Sequence, residues 1–139
     1  MRIEFEPAAS EETLNIVRAG MRRHTESRVP WEEYTDLVLL ARSDAGELMG
    51  AVIGETGRGW FNVQVAWVDE RFRGKTIGTQ LMQSAEEEAR RRGCHSAYLN
   101  TFSYQARPFY EKLGYVVFGT LNDYPPGHQR FYMSKRLTV

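Results

Sequence analysis

The change of hydrophobic period between Trp60 and Arg92 constrains this chain more than any other feature. From Trp60 to Val68 the apolar residues alternate, with Phe61, Val63, Val65 and Trp67 on one face and Asn62, Gln64 and Ala66 on the other. That is the pattern of a strand with one face against a core and the other polar enough to line a cleft. From Ile77 to Arg92 the repeat is helical: Ile77, Leu81 and Ala85 share a stripe, and Glu86, Glu87 and Glu88 each lie four residues before Arg90, Arg91 and Arg92. These three Glu-to-Arg spacings predict a solvated, ion-paired helix face, each pair worth roughly 0.2–0.5 kcal/mol. Gly93 supplies the helix stop. Strand and helix are joined by the turn Arg73-Gly74-Lys75-Thr76-Ile77-Gly78-Thr79.

The remaining segments supply neighbours for that unit. Ile3 and Phe5 alternate in a short first strand, and Ser10 caps a helix carrying Leu14, Val17 and Met21 at helical spacing. The stretch from His24 to Asp36 is polar, holds Pro30, and carries Trp31 and Tyr34 without a core period, as expected of a cover over something. Leu37–Arg42 and Leu48–Ile53, separated by Asp44-Ala45-Gly46, read as a hairpin. Ala97–Thr101 is a strand, Ala106–Lys112 a short helix closed by Gly114, and Tyr115–Thr120 and Arg130–Leu137 are strands either side of Pro125-Pro126-Gly127. A meander followed by alternating strands and helices predicts an α/β (or α+β) fold with a mixed sheet and helices on both faces. At 139 residues, with 42% hydrophobic and 26% charged residues, a single domain spanning 1–139 is expected.

Several function classes fall away. The 18 Lys plus Arg balance 18 Asp plus Glu, so the broad positive field of nucleic-acid binding is absent. Apolar runs are about five residues, against the roughly 20 of a membrane span. The acidic start Met1-Arg2-Ile3-Glu4-Phe5-Glu6 is unlike a targeting peptide, so a cytoplasmic protein is expected. Cys94 is alone, and His24, His95 and His128 lack metal-ligand spacing, so metal chemistry is unsupported.

The turn at Gly74 is where free N–H groups and the positive end of a helix dipole meet, a place for phosphate oxygens. An ordinary turn capped by Thr76 fits the spacing equally well. A P-loop does not, because Asp69 stands where its first glycine would be.

Val68 followed by Arg73-Gly74-Lys75-Thr76-Ile77-Gly78 resembles the acetyl-CoA signature of the GNAT superfamily of N-acetyltransferases, and Phe109-Tyr110-Glu111-Lys112-Leu113-Gly114-Tyr115 resembles its second block. The resemblance implies a GNAT-like, mostly antiparallel sheet and direct transfer of acetyl from acetyl-CoA to a primary amine of a small molecule or peptide, by a monomer or homodimer. It implies that Trp67 and Val68 bond pantetheine through the main chain. Gly74, Lys75, Thr76, Ile77, Gly78 and Thr79, flanked by Arg73, would receive the pyrophosphate, and Ser103 would stand near pantetheine. Tyr110 would protonate the departing sulfur, since an unperturbed phenol of pKa about 10 can reprotonate a thiolate of pKa about 8.5. Trp31 and Tyr34 are the acceptor-pocket candidates, with Trp60 and Tyr104 beside them. The chain departs from the family at Thr76, where the signature has Gly, at Ser103, where the block often has Asn, and at Asn62, where some members carry a glutamate base. Glu55, Asp69 and Glu70 are the nearest carboxylates in sequence, and Asn62 itself cannot take a proton from an ammonium. A silent acyl-CoA sensor of the same fold is the alternative. A thiol route through Cys94 is disfavoured, because the helix places it roughly 24 Å from Gly78.

Overall fold

The computed structural model describes residues 1–74 and 76–139; Lys75, expected at the pyrophosphate, lies outside the described residues. They form two compact units, Met1–Glu33 and Tyr34–Val139. The smaller unit holds helix α1 (Glu11–Glu26), which starts where Ser10 accepts the Thr13 N–H at 3.1 Å, as the sequence predicts. The expected strand at Ile3–Phe5 is absent: residues 1–6 pair with no strand among the described residues. Two alternating apolar positions ending at Pro7, which has no N–H to donate, are too little for a ladder.

In the larger unit, β1 (Thr35–Arg42), β2 (Leu48–Gly57), β3 (Trp60–Val68), β4 (Ser96–Phe102), β5 (Val116–Asn122) and β6 (Gln129–Arg136) form one sheet in the order β1-β2-β3-β4-β6-β5. Every neighbouring pair is antiparallel except β3 and β4. Helices α2 (Ile77–Arg91) and α3 (Arg107–Lys112) close over one core with Phe61, Val63, Ala97, Leu99 and Met133. The mixed, mostly antiparallel sheet with helices is the class the sequence predicts.

Two local findings differ from the sequence pattern. In β3 the register against β2 shifts between Ile53 and Gly54, leaving Gln64 as an extra residue. This bulge reverses the alternation downstream. Phe61 and Val63 are buried as expected, but Val65 (47% exposed) and Trp67 (42%) turn outward while Ala66 packs on the core. In α2 only two of the three expected Glu-to-Arg pairs form, Glu87 with Arg91 and Glu88 with Arg92. Glu86 is instead buried with Met82, Ala85 and Ala89, accepting from Tyr115 Oη at 2.8 Å and Lys135 Nζ at 2.7 Å. Arg90 donates to the Leu137 carbonyl. Burial and the Glu86 carboxylate push the Tyr115 phenol far above its ordinary pKa. At the far end Gly93 (φ 89°) ends the helix, with Cys94 N–H reaching back to Ala89 O.

Candidate active site

The parallel pairing of β3 with β4 stops almost where it begins. It joins Trp60 to Ser96, Phe61 to Ala97 and Asn62 to Tyr98, after which β3 runs on to Val68 bonded only to β2, and β4 runs on to Phe102 bonded only to β6. The strands therefore separate beyond Asn62, exposing main-chain donors and acceptors that an extended amide-bearing ligand can complete.

A cavity of about 520 Å³ lies along this separation, lined by Ala66, Trp67 and Val68 of β3, Arg73, Gly78 and Leu81 at the start of α2, and Tyr104, Gln105, Ala106 and Phe109 beyond β4. Arg73 folds back so that its Nε donates to the Val68 carbonyl at 3.3 Å. A one-turn 3₁₀ helix, Glu70–Phe72, brings the chain from β3 to this corner and is capped by Asp69, which accepts from Arg71 N–H. Hydrogen bonds from Arg71 hold the Asp69 carboxyl below the usual range, and Arg71 also pairs with Glu47. Asp69 is thus committed to the turn.

Thr76 sits at the N-cap of α2 with left-handed geometry (φ 62°), and its side chain makes no cap bond to the helix N–H groups. Its hydroxyl accepts from Gln80 Nε2 instead. The capping role that the turn alone allowed for Thr76 is therefore not the one it takes, and the first N–H groups of α2 are left for an acceptor oxygen. Gly74 (φ 79°) would have no atom within 4 Å of an added Cβ, whereas a Cβ on Gly78 would meet Phe109 at 3.3 Å. The first glycine leaves open approach; the second allows α2 to pack against α3.

Of the cofactor residues expected from the resemblance, the structure brings Trp67, Val68, Arg73 and Gly78 into one cavity, with Gly74 and Thr76 on the turn leading to it. Thr79 lies in the first turn of α2 outside the cavity lining, and Ile77 faces a groove shared with Leu39 and Ala41. Ser103 is also outside the lining: its hydroxyl accepts from Gln129 N–H at 3.1 Å and lies 3.3 Å from His128 Nδ1. Tyr110 is buried in α3 between Phe109 and Tyr115. Among the described residues its hydroxyl bonds to no protein group, yet no buried side-chain polar atom lacks a partner, so the oxygen reaches the accessible surface. Burial raises its pKa, keeping the proton on Oη.

A second pocket, of about 370 Å³, gathers Tyr34, Glu55, Trp60, Asn62, Tyr98 and Phe118 around the last β3–β4 pair. Tyr34 and Trp60 thus meet at one site; Trp31 belongs to the smaller unit, where its Nε1 donates to Glu33 and its ring lies under Arg22. Tyr98 carries no local signal in the sequence, because only the long-range register of β4 sets it opposite Asn62. Its phenol is pushed up by burial and by the nearby Tyr34 and Glu55.

The uncapped start of α2 and the opened parallel pair meet at one cavity, whereas Tyr110 lies outside its lining, next to Phe109, which belongs to it. Known proteins are similar to this chain. An acetyltransferase of Agrobacterium fabrum is 32% identical over 98% of this chain and 99% of its own length. The blasticidin-S acetyltransferase of Streptomyces morookaense is 33% identical over 92% of this chain and 93% of its own. The crystal structure of an acetyltransferase from Bacillus cereus superposes with a TM-score of 0.87 at 26% identity, covering 96% of this chain and 97% of that one. Residues 7–115 match the family described as the Acetyltransferase (GNAT) family, and the chain belongs to it.

Proposed function

We propose that the chain transfers acetyl from acetyl-CoA to a primary amine of a small molecule or peptide, directly and without an acyl-enzyme. The observation that carries this reading is the separation of β3 from β4 beside the uncapped start of α2. The similarity to an acetyltransferase named for blasticidin-S supports acetyl transfer over silent binding. The family match runs from α1 into the larger unit, which supports treating 1–139 as one domain; the acting unit in this reading is a monomer or homodimer. Cys94, the single cysteine of the sequence, is buried, which suits a reducing cytoplasm.

The residues fit the donor. The edge of β3 between Val63 and Val68, unpaired on the β4 side, is free to bond pantetheine amides, and it includes Trp67 and Val68. The α2 N–H groups, with Arg73 beside them, receive the pyrophosphate. Bound acetyl-CoA supplies the activated thioester carbonyl. Main-chain N–H groups of the opened β3 stabilise negative charge on that carbonyl oxygen as the amine nitrogen bonds to its carbon. The amine attacks in its neutral form; as the C–S bond breaks, Tyr110 Oη gives its proton to the departing sulfur, and the proton that the nitrogen sheds on becoming an amide passes to solvent water, from which the phenol is restored.

The test is thiol release across a panel of primary amines, with acetyl-CoA as donor. Amine-dependent release of free CoA is expected; binding of acetyl-CoA with no release from any amine would leave the second reading, a silent acyl-CoA sensor. Asn62, standing where some relatives carry a glutamate base, is the observation that favours that alternative.

A further inference from the structure

Glu55 is half-buried in the second pocket and forms no ion pair or side-chain hydrogen bond among the described residues. A carboxylate drawn partly out of water without an ion pair is unfavourable, and Arg58, which lines the same pocket, makes none with it. Four aromatic side chains share the pocket with it: Trp60 and Tyr98 meet edge to face at 73°, and Tyr34 and Phe118 complete the lining. Asn62 lies directly across the β2–β3 pair from Glu55 and adds a neutral amide oxygen. The Arg58 guanidinium already lies 6.0 Å from the Tyr34 ring centroid, so a cation is accommodated against this wall. Aromatic faces attract cations, and a carboxylate beside them selects cations that also donate hydrogen bonds.

We propose that this pocket is an ammonium-recognition subsite, in which Glu55 and the rings of Tyr34, Trp60 and Tyr98 hold a cationic group of the acceptor. An –NH₃⁺ group has three donors and no acceptor, matching the Glu55 carboxylate and the Asn62 carbonyl. The pocket contains the last pair before the strands part, so a group held there lies against the opening through which the thioester carbonyl is reached. Calling the ligand an acceptor rests on the acetyltransferase reading; the recognition chemistry itself does not.

Equilibrium binding separates the two. Calorimetric titration without acetyl-CoA compares phenethylammonium with phenethyl alcohol, and butane-1,4-diammonium with butane-1,4-diol, on the wild type and on Glu55→Gln. At least one ammonium is expected to bind about tenfold or more tightly than its hydroxyl isostere. Glu55→Gln, nearly isosteric, should reduce that preference to about twofold or less while leaving acetyl-CoA affinity unchanged. Equal binding of amine and alcohol, absence of ammonium binding at millimolar concentration, or a preference that survives Glu55→Gln would each overturn the proposal. Ammonium binding without any amine-dependent CoA release would keep the subsite and remove the transfer reaction. CoA release with no ammonium preference would do the reverse.

Discussion

Tyr110 joins two environments in one side chain, a buried ring and a hydroxyl that bonds to no group among the described residues. If Oη is the proton donor, Tyr110→Phe lowers kcat by at least about tenfold with acetyl-CoA affinity within twofold, the signature of an interaction made only in the transition state. Burial raises the Tyr110 pKa above its ordinary value of 10.0, so the acid form persists past that pH. The kcat profile of the wild type should therefore show no loss from Tyr110 deprotonation below pH 10; an ionisation near 8 that Phe abolishes would be the contrary result. Thr76 is the opposite case, a β-branched residue with φ 62° where the family signature has Gly. Left-handed geometry costs a β-carbon about 1–2 kcal/mol, and glycine gives part of that back in unfolded-state entropy. Thr76→Gly should hold or raise stability by up to ~1 kcal/mol in urea melts and tighten acetyl-CoA binding. A loss of more than 1 kcal/mol would mean that the Thr76 side chain contributes more than its backbone costs.

At the scale of elements, the bulge in β3 decides which side chains reach the cleft. A Cβ on Gly54 would run into the Asn62 carbonyl oxygen and fall 2.8 Å from the Phe61 ring. Backbone cannot yield there as a flexible side chain could, so Gly54→Ala should destabilise by roughly 3 kcal/mol or prevent folding. Gly46→Ala makes the contrast: its Cβ would meet nothing within 4 Å, and only its φ of 84° would be penalised, costing about 1 kcal/mol in the same urea melts. The element boundaries were largely readable, because period two gave the strand and period 3.6 the helix. The bulge was not, since the alternation Phe61, Val63, Val65, Trp67 is unbroken in the sequence and only the β2 register reveals Gln64 as extra. Glu86 was misread for a related reason. Its four-residue spacing to Arg90 matched that of its two neighbours, while its place beside Met82, Ala85 and Ala89 put it in the core stripe. Helical position outweighed charge because Lys135 and the Tyr115 hydroxyl, distant in sequence, were there to meet it.

For the whole molecule, the phosphate turn and the tyrosine helix were legible as local motifs, whereas the aromatic pocket was not. Glu55 lies on β2, Tyr98 on β4 and Tyr34 just before β1, and they meet only because β1, β2, β3 and β4 are successive neighbours in the sheet. Donor binding is likewise a property of the assembled sheet, and it should show as thermal stabilisation. At acetyl-CoA concentrations of 100 times Kd the folded state gains about 2.7 kcal/mol, so Tm rises by several degrees, while ATP, which has no pantetheine arm to lay along β3, shifts it far less. Equal shifts with both ligands would assign the turn to phosphate alone. The parting of β3 from β4 carries one more consequence. A guest laid between them becomes a temporary seventh rung, and with it in place the opening is narrowed to its acetyl end.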